Sequence, residues 1–157
     1  GVPPDIPSLY IGTNNAARKQ RYLAAMKPSI VAGNGWESIK EPGVTFLPPH
    51  YLHGFTALAS RAKVAINIHQ GPIGLNRKLF ELISCAFTIV DRVPGVEEVL
   101  GDITQEVSFT TPEEGAALRD RWLAAPKGRE ALWLKERERI APYTYENAVK
   151  RILNSLA

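Results

Sequence analysis

The stretch Ile66-Asn67-Ile68-His69-Gln70-Gly71-Pro72-Ile73-Gly74-Leu75-Asn76-Arg77-Lys78-Leu79-Phe80-Glu81 concentrates the residues most able to do chemistry. A β-branched run delivers the chain to His69 and a glycine-bearing loop, and a helix begins near Gly74, Leu75 and Asn76. Unpaired backbone N–H groups at that helix start, the positive end of its dipole and Arg77 or Lys78 together make an anion site suited to a diphosphate. Glu81 lies one turn further on. A carboxylate can accept two hydroxyl hydrogen bonds at once, as a ribose diol demands. Arg77 and Glu81 are also spaced i and i+4, so a simple surface ion pair satisfies the pattern equally well. The spacing leaves both readings open. Arg18 and Lys19 follow Gly12-Thr13-Asn14-Asn15. They either reach the same phosphates or are solvated helix charges, the commoner state for such residues.

Other chemistries find less support. The loop at Gly12 carries one glycine where a dinucleotide-binding turn wants three, and no GxxxxGK[ST] run occurs. His50 and His53 stand three apart, but Pro49 argues against a regular helix presenting them. With His69 they read as loop histidines rather than zinc ligands. Ser84 and Cys85 fall inside a helix pattern, not on a nucleophile elbow, and Cys85 reads as a small core residue. No catalytic residue and no metal site is assigned.

The elements that must position these residues are legible as alternating patterns. Residues 8–11, 29–32, 44–47, 64–68, 87–90 and 107–109 read as six short apolar strands. Turn clusters such as Gly33-Asn34-Gly35 and Pro48-Pro49 close two of them. Helical patterns lie between, over residues 16–26 and along Leu75, Leu79, Leu82, Ile83 and Ala86. Thr111-Pro112-Glu113-Glu114 opens another helix running to about Ala125. A last pattern from Gly128 towards Leu156 is broken at Pro142, giving a C-terminal helix pair. Strands without polar alternation, separated by helices, imply an α/β fold: a doubly wound parallel sheet with helices on both faces. Ligands of such sheets sit at the carboxyl ends of the strands. Thr13-Asn14, Gly33-Asn34-Gly35, Pro48-Pro49-His50, the run from His69 to Asn76, and Asp91 stand there.

Composition bounds the rest. The 157 residues fit a single domain. Hydrophobic residues at 45% and charged residues at 22% exclude a disordered chain. No apolar run approaches the length of a membrane span. Cys85 alone cannot build a disulfide framework and suits a reducing, cytoplasmic compartment. A net charge of +3 permits an anionic ligand without requiring one. The densest charge run, Lys135-Glu136-Arg137-Glu138-Arg139, alternates in sign. It reads as a solvated helix face, not a nucleic-acid patch. The opening Gly1-Val2-Pro3-Pro4 has neither an initiator methionine nor a leader pattern, so a segment of a longer protein is expected.

Taken in order, these motifs resemble a known family. The run from Val44 to Glu98 resembles the carboxyl-terminal half of group 1 glycosyltransferases of the GT-B fold, and within them the spore-maturation-type glycosyltransferase-like subgroup. Gly33-Asn34-Gly35-Trp36 is similar to that subgroup's Gly-x-Gly-Trp, and Ala62-Lys63-Val64-Ala65-Ile66-Asn67-Ile68-His69 to its strand ending in Asn-x-His. Asn76-Arg77, Phe80-Glu81, Cys85 and Thr88-Ile89-Val90-Asp91 resemble its central signature, and Thr144-Tyr145 a pair before its last helix. The resemblance implies a Rossmann-like domain, one half of a GT-B fold, and transfer of a sugar from a nucleoside diphosphate donor, with no required cofactor, in carbohydrate biosynthesis. Its implied nucleotide-sugar-binding residues are Thr13, Asn14, Arg18, Leu47, Pro49, His69, Gly71, Gly74, Leu75, Asn76, Arg77 and Glu81. Glu81 would hold the ribose, the stretch 47–52 would border the base, and Arg18, Arg77 and loop amides would face the pyrophosphate. A further N-terminal acceptor domain of the same protein is implied as partner, and this segment alone would be inactive. The first acid of the family's paired-glutamate motif falls at Ile73, and Ala86 replaces its usual glycine. The alternative expectation is therefore a catalytically inactive binding or scaffolding module.

Overall fold

Ile6–Ile11 (β1) lies inside an all-parallel sheet, flanked on one side by Ile30–Ala32 (β2) and on the other by Ala62–Asn67 (β4). Thr45–Leu47 (β3) pairs with β2 at one edge, while Thr88–Asp91 (β5) and Ser108–Phe109 (β6) extend the sheet beyond β4. The order is β3-β2-β1-β4-β5-β6. This computed structural model describes residues 3–71 and 74–156.

Burial on both faces explains why the strands lack polar alternation. Leu9 and Ile11 of β1 pack with Leu58, Ala59 and Leu82. Tyr10, between them, packs with Tyr22, Met26 and Ile66. The helices supplying these side chains are Ala17–Met26 (α1), His53–Ala59 (α2) and Arg77–Cys85 (α3). Val96–Leu100 (α4) and Thr104–Val107 (α5) turn the chain between β5 and β6. Pro112–Ala124 (α6) begins as its sequence requires. The Thr111 side chain accepts from the Glu114 N–H at 3.2 Å, and the Glu114 carboxylate returns to the Thr111 N–H.

Pro126–Ile140 (α7) and Tyr145–Leu156 (α8) form the C-terminal helix pair, separated by a turn containing Pro142. In α8, Tyr145, Val149, Ile152 and Leu153 are exposed. The charge run on α7 departs from expectation. Lys135, Arg137, Glu138 and Arg139 are exposed, but Glu136 is completely buried. Leu132, Glu136 and Ile140 share the inward stripe of the helix, and the Glu136 Oε2 accepts from the Thr88 N–H at 3.1 Å. The carboxyl serves the start of β5, a backbone group that sequence periodicity does not reveal.

Candidate functional site

Strand order reverses between β1 and β4, and the crevice of such a sheet opens above that point. The loops after β1 and β2 are tied there backbone to backbone. Gly12 N–H donates to Ala32 O at 2.8 Å, and Gly33 N–H to Leu47 O at 3.1 Å. The Trp36 indole N–H donates to Gly12 O at 2.7 Å. A Cβ on Gly33 would stand 2.2 Å from that same carbonyl oxygen, so only glycine lets the two loops meet. Above them lies a cleft of about 920 Å³. Its floor is Gly12, Thr13 and Gly33, one wall runs from Pro49 to Thr56, and the other is Lys78, Arg77 and Glu81 on α3.

The basic groups around this crevice divide into paired and unpaired. Arg77 Nε lies 2.8 Å from Glu81 Oε1, with both side chains substantially exposed. Tyr145 also bonds Arg77, and with Glu81 it holds the guanidinium pKa up. Arg18 NH1 lies 2.5 Å from Asp91 Oδ2, and its guanidinium stands 4.4 Å over the Tyr22 ring. Lys19 is only 6% exposed, and its ammonium donates to Asn15 Oδ1 at 2.8 Å and Thr13 O at 3.3 Å. Lys78 reaches over the end of β1. A Cβ on Gly12 would meet its Nζ at 2.7 Å and the Tyr10 hydroxyl at 2.6 Å. Burial, then the nearby Lys19 charge, push the Lys78 ammonium down to about 8, against a smaller opposing pull from Glu81. Burial also lowers Lys19, against the attraction of Asp91. Neither lysine has an ion-pair partner among the described residues. The uncapped start of α1 at Ala16, with no acid in its first turn, adds positive potential beside them.

The residues singled out from sequence fall into several places. Thr13, Pro49, Arg77 and Glu81 line the cleft. Asn14 braces the floor, donating to Gly35 O at 2.7 Å and accepting from Gln20. Leu47 ends β3 and supplies the carbonyl that holds Gly33. Asn76 caps α3 by accepting from the Leu79 N–H at 3.0 Å. Leu75 packs on the core, where a Cβ on Gly95 would approach it to 3.2 Å. Gly71 and Gly74 lie in the loop after His69, and Gly74 has φ +113°. Ile73, the position of the family's first acid, lies outside the described residues. Arg18 and His69 meet at Asp91, behind the cleft.

Sequence reasoning gave Lys78 as an alternative to Arg77, left Lys19 between a phosphate contact and a solvated charge, and reached Tyr51 and Leu52 only as part of the stretch 47–52. Tyr51 Oη accepts from Asn34 Nδ2 at 3.2 Å across the mouth of the cleft. Leu52, 84% exposed on its lip, holds φ 49° and ψ −119°, a strained backbone for a branched residue. No sequence signal marks that strain. Among the described residues, no three His, Cys, Asp or Glu side chains gather into a metal-holding group. Nor is any helix among the described residues long and apolar enough to cross a membrane.

A Rossmann-like sheet whose crevice is lined by Lys78, with Lys19 bonded to Thr13 of its floor, defines the class, and comparison with known proteins narrows it. The family model described as glycosyl transferase-like matches residues 16–154, so the chain belongs to that family. No curated protein matches it. Among solved structures, the T4 phage β-glucosyltransferase in complex with UDP-glucose superposes with a TM-score of 0.76 at 12% identity, over 94% of this chain and 47% of that one. A second structure of the T4 phage enzyme gives 0.76 at 11% identity, over 94% and 49%. A structure of the DNA-modifying β-glucosyltransferase, with and without uridine diphosphoglucose, gives 0.70 at 12% identity, over 88% and 47%. These likenesses establish the fold, that of one domain of a GT-B glycosyltransferase. The chain spans about half the length of the proteins it matches.

Proposed function

We propose that this chain is the donor-nucleotide domain of a glycosyltransferase, the carboxyl-terminal half of a two-domain GT-B protein of the spore-maturation-type subgroup. The observation that carries this reading is the pair of ammonium groups, Lys19 and Lys78, held at the end of β1 without a carboxylate partner among the described residues. Two like charges in a partly desolvated place are costly unless an anion joins them. A diphosphate supplies that anion, with the free N–H groups at the start of α1 as further donors. Uridine diphosphoglucose is the donor proposed, since the T4 phage enzyme sharing the fold was solved with it.

In this arrangement the base lies along the wall from Pro49 to Leu52 and the ribose against Glu81. Glu81 exchanges its exposed bond to Arg77 for two ribose hydroxyls, and the freed guanidinium turns to phosphate. During transfer the diphosphate departs with added negative charge, and lysines and amides already in place stabilise it without reorganising. The acceptor and the groups that activate it belong to the second domain. No residue of this chain is assigned to proton abstraction.

Calorimetry with uridine diphosphate and uridine tests the reading. The diphosphate should bind more tightly than the nucleoside, and Lys78→Met should erase most of the difference. Equal affinity for both ligands would remove the diphosphate site. The isoleucine at the motif's first acid favours a second reading, a module that binds the nucleotide but transfers nothing. Turnover of uridine diphosphoglucose by the full-length parent, with this domain present, separates the two.

A further inference from the structure

A second cavity, of about 430 Å³, opens where β5 and the edge strand β6 end against α6. That volume lies within the range of small-molecule sites. The cavity has no lining residue in common with the donor cleft. Arg92, the residue after β5, faces it with Gln105 of α5. Glu114, Leu118 and Arg121 face it from α6, at i, i+4 and i+7, one side of that helix.

Both arginines are held in place, and neither has an ion-pair partner among the described residues. Arg92 donates from Nε and NH2 to Ser108 Oγ at 3.0 and 2.9 Å, and from NH2 to Gln105 Oε1 at 2.9 Å. Ser108 is buried, and its hydroxyl donates in turn to the Thr104 carbonyl at 2.6 Å. These acceptors are neutral, so they orient the guanidinium without cancelling its charge, and NH1 is left for a ligand. The Arg121 guanidinium lies 4.7 Å over the Trp122 ring, whose indole N–H donates to Glu106 O at 2.9 Å. Arg18, Arg61 and Arg139, by contrast, are each answered by a carboxylate. The start of α6 adds no free donors, because Glu114 Oε2 already takes the Thr110 and Thr111 N–H groups. Those bonds, with the Arg92 charge behind them, hold the Glu114 carboxyl below the usual range and keep it ionised. Two arginines against one carboxylate leave a single uncompensated positive charge in the cavity.

A singly charged oxyanion balances that field, whereas the second charge of a phosphate monoester would be repelled by Glu114. Guanidinium groups take a carboxylate through paired N–H···O bonds. Hydroxyl-recognising groups surround that point. The Gln105 amide nitrogen donates, and the Glu114 bonds from Thr110 and Thr111 all fall on Oε2, so Oε1 accepts from a ligand. We propose that this cavity is a second ligand site, for a sugar acid of the uronate type. Arg92 and Arg121 hold its carboxylate, Gln105 and Glu114 bond its hydroxyls, and Leu118 supplies an apolar surface for the ring. The site stands independently of the donor-nucleotide reading, since none of its residues lines the donor cleft.

NMR of the ¹⁵N-labelled chain, titrated separately with D-glucuronate, D-glucose, acetate and glucose 6-phosphate, tests this. Glucuronate should give saturable shifts at Arg92, Gln105, Thr110 and Arg121 and leave Thr13 and Lys78 of the donor cleft unmoved. Glucose and acetate each lack half of the recognised groups and should bind at least about tenfold more weakly. Absence of saturable shifts at these residues overturns the site. Glucose binding as well as glucuronate overturns the role of the arginines, and acetate binding as well overturns the sugar-acid assignment. Arg121→Gln, at an exposed position, should abolish the glucuronate shifts without moving the melting temperature, and their persistence in a folded variant counts against the proposal. Glu114→Gln keeps an acceptor for the start of α6 and removes the negative charge. It should raise the affinity for glucose 6-phosphate more than that for glucuronate, and an equal change for both would contradict the charge balance on which the ligand class rests.

Discussion

Arg77 and Glu81 face each other across one turn of α3, Nε to Oε1 at 2.8 Å, on the wall of the cleft where a ribose would lie. Both readings that the sequence left open are therefore compatible with one geometry. An exposed pair of this kind contributes little to stability, because water and salt screen it. Its residues can change partners at small cost when a ligand enters.

Glu81→Ala separates the two roles. Loss of one or two charged hydrogen bonds to ribose should weaken uridine diphosphate by at least about tenfold. The melting temperature should hardly move. A 2′-deoxynucleotide, already short of one hydroxyl, should lose less on mutation. Unchanged affinity would leave Glu81 as a surface ion-pair partner only.

Lys78 should trade stability for binding. Its folded-state pKa of about 8 lies below the ordinary lysine value, so the folded chain gives up a proton more readily than the unfolded one. The unfolded state binds more protons above that pH, and stability therefore rises as pH increases through about 8. Diphosphate affinity should run the other way, falling over the same range as the ammonium is lost. Lys78→Met should raise the melting temperature at neutral pH and weaken the diphosphate. Thermal melts and calorimetry across that pH range check both slopes, and a diphosphate affinity independent of pH would contradict the second.

Much of the scaffold was legible because its physics is local. A strand covered on both faces must be apolar throughout, and Val64-Ala65-Ile66 announces that directly. Thr111-Pro112-Glu113-Glu114 likewise fixes the start of α6, since every group in the cap is within one turn. The helix α2 was not legible: Gly54 and Thr56 are poor helix formers, and the segment is held by packing against α3 and β4. At the site, Thr13, Pro49, Arg77 and Glu81 could be read from their places after strands or on α3. The partnership of Arg18 with Asp91 could not, because it joins α1 to a strand on the far side of β4. That pairing decides which cations remain free, and so the emphasis shifts from Arg18 and Arg77 to Lys19 and Lys78.

Glu136 should make stability fall as pH rises above the ordinary carboxylate range. Complete burial holds its carboxyl well above the usual range, outweighing the Thr88 N–H that favours the charged form. A raised folded-state pKa means that the stabilising protonated form is fully present at low pH. That contribution is lost as pH rises through the folded value. Glu136→Gln keeps an acceptor for Thr88 and cannot ionise. Its unfolding free energy should match the wild type in acid and exceed it in alkali. Denaturant curves at several pH values measure this, and parallel profiles for the two proteins would show that Glu136 does not titrate on folding.

The sharpest structural prediction concerns Gly33. Its φ of +152° already restricts other residues, and a Cβ would lie 2.2 Å from the Gly12 carbonyl oxygen, which also accepts from Trp36. Backbone atoms of a loop anchored directly to a central strand cannot step aside as a flexible side chain could, so Gly33→Ala must part the β1 and β2 loops. Gly43 offers the control. It also has positive φ, +81°, but nothing lies within 4 Å of its added Cβ. Gly43→Ala should cost only the left-handed backbone strain, about 1–2 kcal/mol. Gly33→Ala should cost clearly more and should also weaken uridine diphosphate, since the floor of the cleft moves with the loops. Equal destabilisation of the two variants by urea denaturation, with nucleotide affinity preserved in both, would mean that the contact between these loops does not shape the site.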